Sequence, residues 1–378
     1  MTEILNLEGY IKGVSYQTFL QDDLEIVSLD EFDVNQSKPC GLIKSGSTEI
    51  AFSKWVSPKR TRSYPFARIY DTYNSCKAIT IIPIIKDEGK DGDRDKIQYS
   101  TISWMNLLNI YIVLAYYESA EKSYKKGQEN KDKLTNQKFN NDFVKAQIKE
   151  ILKYRQSALH WNKNLFEERF TDIFTIGLNC YDSISQQTGV LIHLRQTIQK
   201  GLNKIIADFE EFKNISLKGS QAASKREALT KHEQENLIDG KKGTFSIENY
   251  LGGVYFLTPD EIFLQNDIYI IQESKNTSKT LPSKSDIKDG LFKIILYSNL
   301  DRITINGEEF EFLSKLKLTS SKIINSIILP DDSARLDSFI AQNSFSQKEI
   351  ETINKLLLEA TNNQKIKVEI SGHSKKKA

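Results

Sequence analysis

Apolar residues in this chain switch between two spacings, and the switches mark its elements. Ala78 to Ile85 (AITIIPII) is a β-branched run that predicts a strand, with Pro83 arguing against an interior, fully paired one. The charged, glycine-containing stretch Lys86 to Lys96 follows as a loop. From Thr101 to Phe212 the spacing lengthens to the helical repeat, carried with few breakers by 101–127, 138–158, 163–178 and 190–213. The longest apolar stretch, Ile102 to Tyr117, is interrupted by Trp104, Asn106 and Asn109. It is too short and too polar to span a bilayer and reads as a buried helix. Residues 214–243 are polar and Lys-rich, with a helix expected from Ser224 to Leu237. Between Thr244 and Ile305 short strands surround one helix, the signature of an α/β core. Beyond it the spacing predicts a strand at Lys322–Leu329, a helix at Gln347–Ala360 and a strand at Lys365–Ile370. The ending SGHSKKKA is expected to be a disordered tail, and no internal repeat is visible.

The stretch from Gly252 to Asn276 (GGVYFLTPDEIFLQNDIYIIQESKN) carries the most information. It contains three strand candidates, Val254–Leu257, Glu261–Gln265 and Ile268–Lys275. Asn266-Asp267 between the last two makes a two-residue hairpin turn, since both residues tolerate positive φ. That turn fixes the register: 265 pairs with 268, 264 with 269, 263 with 270, 262 with 271 and 261 with 272. Asp260 then falls opposite Glu273, and cross-strand partners share a face. Lys275, two residues beyond Glu273, points to that face too. Ile262 with Ile271 and Leu264 with Tyr269 continue the same face, while Phe263 and Ile270 fill the other. Both faces are apolar, which predicts central strands covered on both sides.

Two carboxylates at the end of such a hairpin form a hard oxygen site suited to Mg²⁺, with Asp260 and Glu273 as ligands. A metal there acidifies water and stabilises the charge that develops on a phosphodiester under attack. A lysine beside it can orient or deprotonate the attacking water. Pro259-Asp260, twelve intervening residues, then Glu273-Ser274-Lys275 resembles the motif of the PD-(D/E)XK nuclease superfamily. The resemblance covers roughly Ser224 to Ile305 and implies an αβββαβ core in a mixed α/β sheet. It makes Asp260, Glu273 and Lys275 the catalytic residues. Ser283-x-x-Asp286 resembles a capping box, and Ile287, Leu291, Ile294 and Ile295 give the helical stripe that should follow. Arg302–Ile305 is the expected fourth strand. Many members use a further glutamate from the preceding helix, for which Glu248 or Glu235 stands as candidate. Asp267 is an alternative first acid, although it belongs to the turn.

Composition sets the wider frame. A chain of 378 residues suggests two or three units. Lys+Arg 52 against Asp+Glu 50 leaves a net charge of +2, so a nucleic-acid surface must come from local clusters. One such cluster runs from Lys54 to Tyr70, where Lys59, Arg60, Arg62 and Arg68 alternate with aromatics. Lys241, Lys242, Lys284 and Lys288 are further candidates for holding phosphates. Cys40, Cys76 and Cys180 lack a CxxC pattern, which argues against a disulfide framework or zinc knuckle. The N-terminus shows no secretory signal, so a soluble cytoplasmic protein is expected. Asp91-Gly-Asp93-Arg-Asp95 resembles a calcium loop, but Lys96 replaces the needed glycine, so a solvated acidic loop is expected. The four histidines have no metal spacing, and no GxxxxGK[ST] loop supports an NTP-driven motor.

Four stretches are expected. Residues 1–100 form a mixed α/β region and 101–220 a helical region for dimerisation or DNA recognition. The catalytic core occupies 221–310, and 311–378 is an α/β extension. The whole resembles a type II restriction endonuclease, which implies a Mg²⁺-dependent homodimer cutting double-stranded DNA, with a methyltransferase protecting the host. Competing expectations are another PD-(D/E)XK nuclease of repair, mobile elements or phage defence, and a non-catalytic DNA-binding protein.

Overall fold

The computed structural model describes residues 5–20, 24–54, 77–95, 105–124, 131–193, 243–249 and 254–372, and they form a mixed α/β structure. The chain divides into two compact units. One comprises Met1–Asp23, Arg62–Phe66 and Ser220–Ala378; the other comprises Leu24–Thr61 and Ala67–Gly219. These units cut across the four stretches expected from sequence. The cause is β1 (Leu5–Ile11), which pairs in parallel with β11 (Gly243–Asn249) and antiparallel with β15 (Arg302–Ile305).

The second unit is built on a five-stranded sheet. Its order is β2 (Ile26–Ser28), β3 (Cys40–Ser45), β4 (Thr48–Lys54), β5 (Lys77–Pro83) and β8 (Tyr111–Ala115). β5 is an interior strand despite Pro83, because the proline is its last residue. Within the helix expected over 101–127, the described residues 105–124 are largely strand. β8 lies there, followed by β9 (Tyr117–Lys122), which pairs with β10 (Leu134–Phe139). Every residue of β8 is buried, so its sequence shows no alternation and resembles a buried helix. β8 is also a sheet edge, and side chains satisfy its outer backbone groups. Gln147 of α1 (Asn141–Lys153) accepts from Leu114 N and donates to Leu114 O. Asn162 and Trp161 of α2 (Ala158–Asn164) do the same for Ile112. A π-turn at Leu165–Arg169 leads into α3 (Phe170–Thr188). The expected loop at 86–96 contains β6 (Lys86–Asp87) and β7 (Arg94–Asp95), paired as a short hairpin. Asp87 within it is buried and accepts from Gly89 N–H and from His193, whereas Asp91 and Asp93 of the expected solvated stretch are exposed.

The first unit holds two five-stranded mixed sheets. One runs β12 (Val254–Leu257), β11, β1, β15 and β16 (Glu308–Glu309). The other runs β13 (Glu261–Gln265), β14 (Ile268–Thr277), β17 (Phe312–Ser320), β19 (Ile366–Gly372) and β18 (Ser326–Leu329). The expected hairpin is present with the expected register, from Glu261↔Gln272 to Gln265↔Ile268. Asn266 and Asp267 both take positive φ, 51° and 62°, as a turn matching strand twist requires. Three features differ from expectation. β13 is an edge strand, with Leu264 57% exposed. Val254–Leu257 lies in the other sheet. So does Arg302–Ile305, and the strand beside β14 after the helix is β17, parallel to it. The unit β14–α4–β17, with α4 spanning Lys284–Ser298, is thus a parallel crossover. Ser283 caps α4, accepting from Asp286 N–H. Two further helices, α5 (Ser333–Gln342) and α6 (Gln347–Asn362), pack on β18 and β19. The first has no counterpart in the sequence reading, and Ser371 and Gly372 of the expected tail belong to β19.

α4 is buried around most of its circumference. Gly290 faces β14 and β17, where an added Cβ would lie 2.7 Å from Leu316 Cδ1 and 3.1 Å from Lys275 Cε. On another side Tyr297 stacks on Phe245 of β11, ring centroids 5.6 Å apart. Among the described residues no helix is long and apolar enough to cross a membrane.

The turn generates a test. Asp267→Val places a β-branched residue at positive φ and should cost about 1–2 kcal/mol, whereas Asp267→Gly should cost nothing. Thermal denaturation of the two variants checks this, and equal midpoints would mean that the turn does not set the register.

Candidate active site

The end of the hairpin gathers charge from three elements. Asp260 immediately precedes β13, and its Oδ2 accepts the Ser274 backbone N–H at 2.7 Å. That bond carries the hairpin's alignment one step beyond the last ladder pair. Side chains alternate across a strand, so Glu273 and Lys275 share the face of Ile271 and Ile262, the face covered by α4. Glu261 and Gln272 lie on the opposite face and bond each other there at 2.8 Å.

Glu273 is 0% exposed. Its partner is Lys293 of α4, with Nζ 3.2 Å from Oε1; apart from this ion pair neither carboxylate oxygen accepts a hydrogen bond. Burial lifts the Glu273 carboxyl well above its ordinary range. Lys293 pulls it back, Asp260 pushes it further up and Lys275 lowers it. Lys293 also donates to Thr258 O at 3.2 Å, tying the helix to the segment that presents Asp260. Lys275 Nζ donates to Asp289 Oδ2 at 2.8 Å. Among the described residues the corner holds three carboxylates (Asp260, Glu273, Asp289) and two ammonium groups (Lys275, Lys293), a net charge of −1 with all five ionised.

Asp289 and Lys293 escaped the sequence reading. They stand four residues apart on one face of α4, a spacing that places two side chains together. Lys284 and Lys288, the helix lysines singled out from sequence, lie roughly 140° around the helix from that face. Glu248 lies on β11 in the other sheet, exposed, paired with Tyr10 and Val254. Asp267 sits in the turn, separated from Asp260 by the ladder. Lys59, Arg60, Arg62, Arg68, Lys241, Lys242 and Glu235 lie outside the described residues.

The donor set suits a small hard cation. Glu273 offers two buried oxygens that accept no hydrogen bond, and Asp260 offers the oxygen not bonded to Ser274. Among the described residues no three His, Cys, Asp or Glu side chains form a metal-holding group. Two carboxylates fit Mg²⁺, which takes one or two of them and completes its shell with water and phosphate oxygens. Comparison with protein-family models, curated proteins and solved structures gives no match.

Because burial raises the folded-state pKa of Glu273, the folded chain binds a proton there more tightly than the unfolded chain. The stabilising effect is complete below the unfolded value and is lost as pH rises through the folded one. In EDTA, Glu273→Gln should thus raise the unfolding midpoint at pH 8 and bring a smaller gain near pH 5. A variant no more stable than wild type at pH 8 would mean that Lys293 fully compensates the buried charge.

Proposed function

We propose that this chain is a Mg²⁺-dependent, sequence-specific DNA endonuclease of the PD-(D/E)XK type, organised like a type II restriction enzyme. The observation that carries the reading is the Asp260–Ser274 bond. It brings the first acid to the strand bearing Glu273 and Lys275, in the order and spacing of that motif. The β14–α4–β17 crossover behind the hairpin supports it further.

In this reading Asp260 and Glu273 would hold the cation, which lowers the pKa of a bound water and offsets charge on the phosphate. Lys275 orients the attacking water and stabilises the phosphate. Its ammonium is held by Asp289, so less rotational freedom would be lost on meeting the reacting group. α4 excludes solvent from Glu273, which strengthens each interaction there. The substrate is double-stranded DNA, and symmetric cleavage calls for a homodimer with one site per subunit. The protein would act in the cytoplasm beside a methyltransferase that protects host DNA.

One observation favours a second reading. Lys293–Glu273 and Lys275–Asp289 pair off four of the five charges, as a purely structural cluster would. In that case the chain binds DNA without cutting it.

Unmethylated phage DNA with Mg²⁺ separates the two. Discrete fragments, absent in EDTA and reduced at least about a thousandfold in Asp260→Ala and Glu273→Ala, are the expected result. Tight binding without cleavage would favour the structural cluster, and cleavage that survives Asp260→Ala would remove Asp260 from the site.

A further inference from the structure

The proposed chemistry uses Asp260, Glu273 and Lys275 and leaves Lys293 without a part. This lysine stands at the boundary between the buried carboxylate and solvent. Its side chain is 19% exposed, while that of Glu273 is 1% exposed. Its ammonium reaches Glu273 Oε1 and Thr258 O, each at 3.2 Å.

We propose that Lys293 is an exchangeable counter-cation. It balances Glu273 while the site is free of metal. When a divalent cation takes that carboxylate, the ammonium passes to a phosphate of the bound duplex. The inference rests on Asp260 and Glu273 being the metal ligands.

Three features lead to it. First, Glu273 is buried and has no hydrogen bond beyond this ion pair, so without metal an ionised carboxylate depends on Lys293. Second, a divalent cation and an ammonium on one carboxylate repel each other. The ammonium is the one that can leave, because it ends a flexible four-carbon stem that already reaches solvent. Third, Asp289 is already engaged. That carboxylate, one turn back on the same face, already holds Lys275 at 2.8 Å. The bond to Thr258 O keeps the ammonium beside Pro259-Asp260, the segment that presents the first acid. Gly290 matters here as well, because it lets α4 come close enough to β14 for Lys293 to reach Glu273. Metal and DNA binding would then be coupled, and the coupling is reciprocal: each lowers the cost of moving Lys293 for the other.

The test counts phosphate contacts. A fluorescein-labelled linear duplex is titrated with the full-length protein over a series of KCl concentrations, in EDTA and in Ca²⁺. Calcium is the probe because it takes carboxylate oxygens. In Ca²⁺ the plot of log K against log [KCl] should be steeper for wild type than for Lys293→Gln by about 0.9, the slope of one phosphate contact on B-DNA. In EDTA the two slopes should coincide. Lys293→Arg should keep the wild-type slope in both conditions. Glu273→Gln removes the carboxylate's hold without metal, so in EDTA its slope should exceed the wild-type value by about 0.9. It gives an independent test should Lys293→Gln fail to fold. Equal slopes for wild type and Lys293→Gln in Ca²⁺ would overturn the inference. So would the same loss in both conditions, which marks a permanent contact, or an unchanged slope in Glu273→Gln. Isothermal titration keeps the two readings apart. If wild type takes up no Ca²⁺ that Asp260→Ala abolishes, the metal site itself is wrong. If that uptake is present and the slopes do not respond to Lys293, only the exchange is wrong.

Discussion

Glu273 is fully buried, and an ionised carboxylate in such a place costs several kcal/mol unless something answers it. Its surroundings are arranged around that cost. Lys293 approaches from the helix above, and Lys275 lies two residues along the same strand and face. Asp260 works against both of them, and its own charge is steadied by the Ser274 N–H. Removing Lys293 would leave the carboxylate unpaired, a change that in buried pairs costs about 3–5 kcal/mol. The charges are therefore mutually dependent, and none can be understood singly.

That arrangement needs α4 close to the sheet. At Gly290 a side chain would meet Leu316 and the stem of Lys275, so the glycine sets how near the helix comes. Closeness alone would leave the far side of α4 wet, yet Ile295, Leu296 and Tyr297 are fully buried. Tyr297 stacks on Phe245 of β11, and β11 is held in its sheet by β1 from the chain's beginning. Gly9 of β1 lies against Phe245 and Leu300. The N-terminal strand, far from the hairpin in sequence, thus supports the covering layer of the helix that carries Asp289 and Lys293.

What the sequence revealed follows from how local each cause is. The hairpin register was readable because two turn residues and strict side-chain alternation determine it within fifteen residues. The cap at Ser283 and the stripe on α4 are local in the same way. β8 was misread because a strand buried on both faces shows no alternation, and its helix-like run of apolar residues gave the wrong period. The pairings of β1 with β11 and of β14 with β17 are long-range, and no nearby residue announces them. Asp289 and Lys293 stand four apart in the sequence, and nothing local marks them out. Their role became apparent only once α4 was seated on the face that carries Glu273 and Lys275.

The same corner bears on why the charges are there. Apolar residues at positions 273 and 293 together would sit among Ile271, Leu316 and the apolar side of α4 with no buried charge to balance. Replacing buried ion pairs by apolar residues of similar volume is commonly neutral or stabilising by about 1–4 kcal/mol. The fold thus gains little from a carboxylate at this point, whereas a metal-assisted reaction needs one. A structural cluster would also be expected to satisfy its carboxylates with several hydrogen bonds, as Glu359 does by accepting from Phe19 N–H and Leu20 N–H. Glu273 accepts none beyond its lysine pair. A buried acid whose one ion pair is to a lysine that reaches solvent is poor architecture for stability alone, and it suits the proposed exchange of that lysine for a metal.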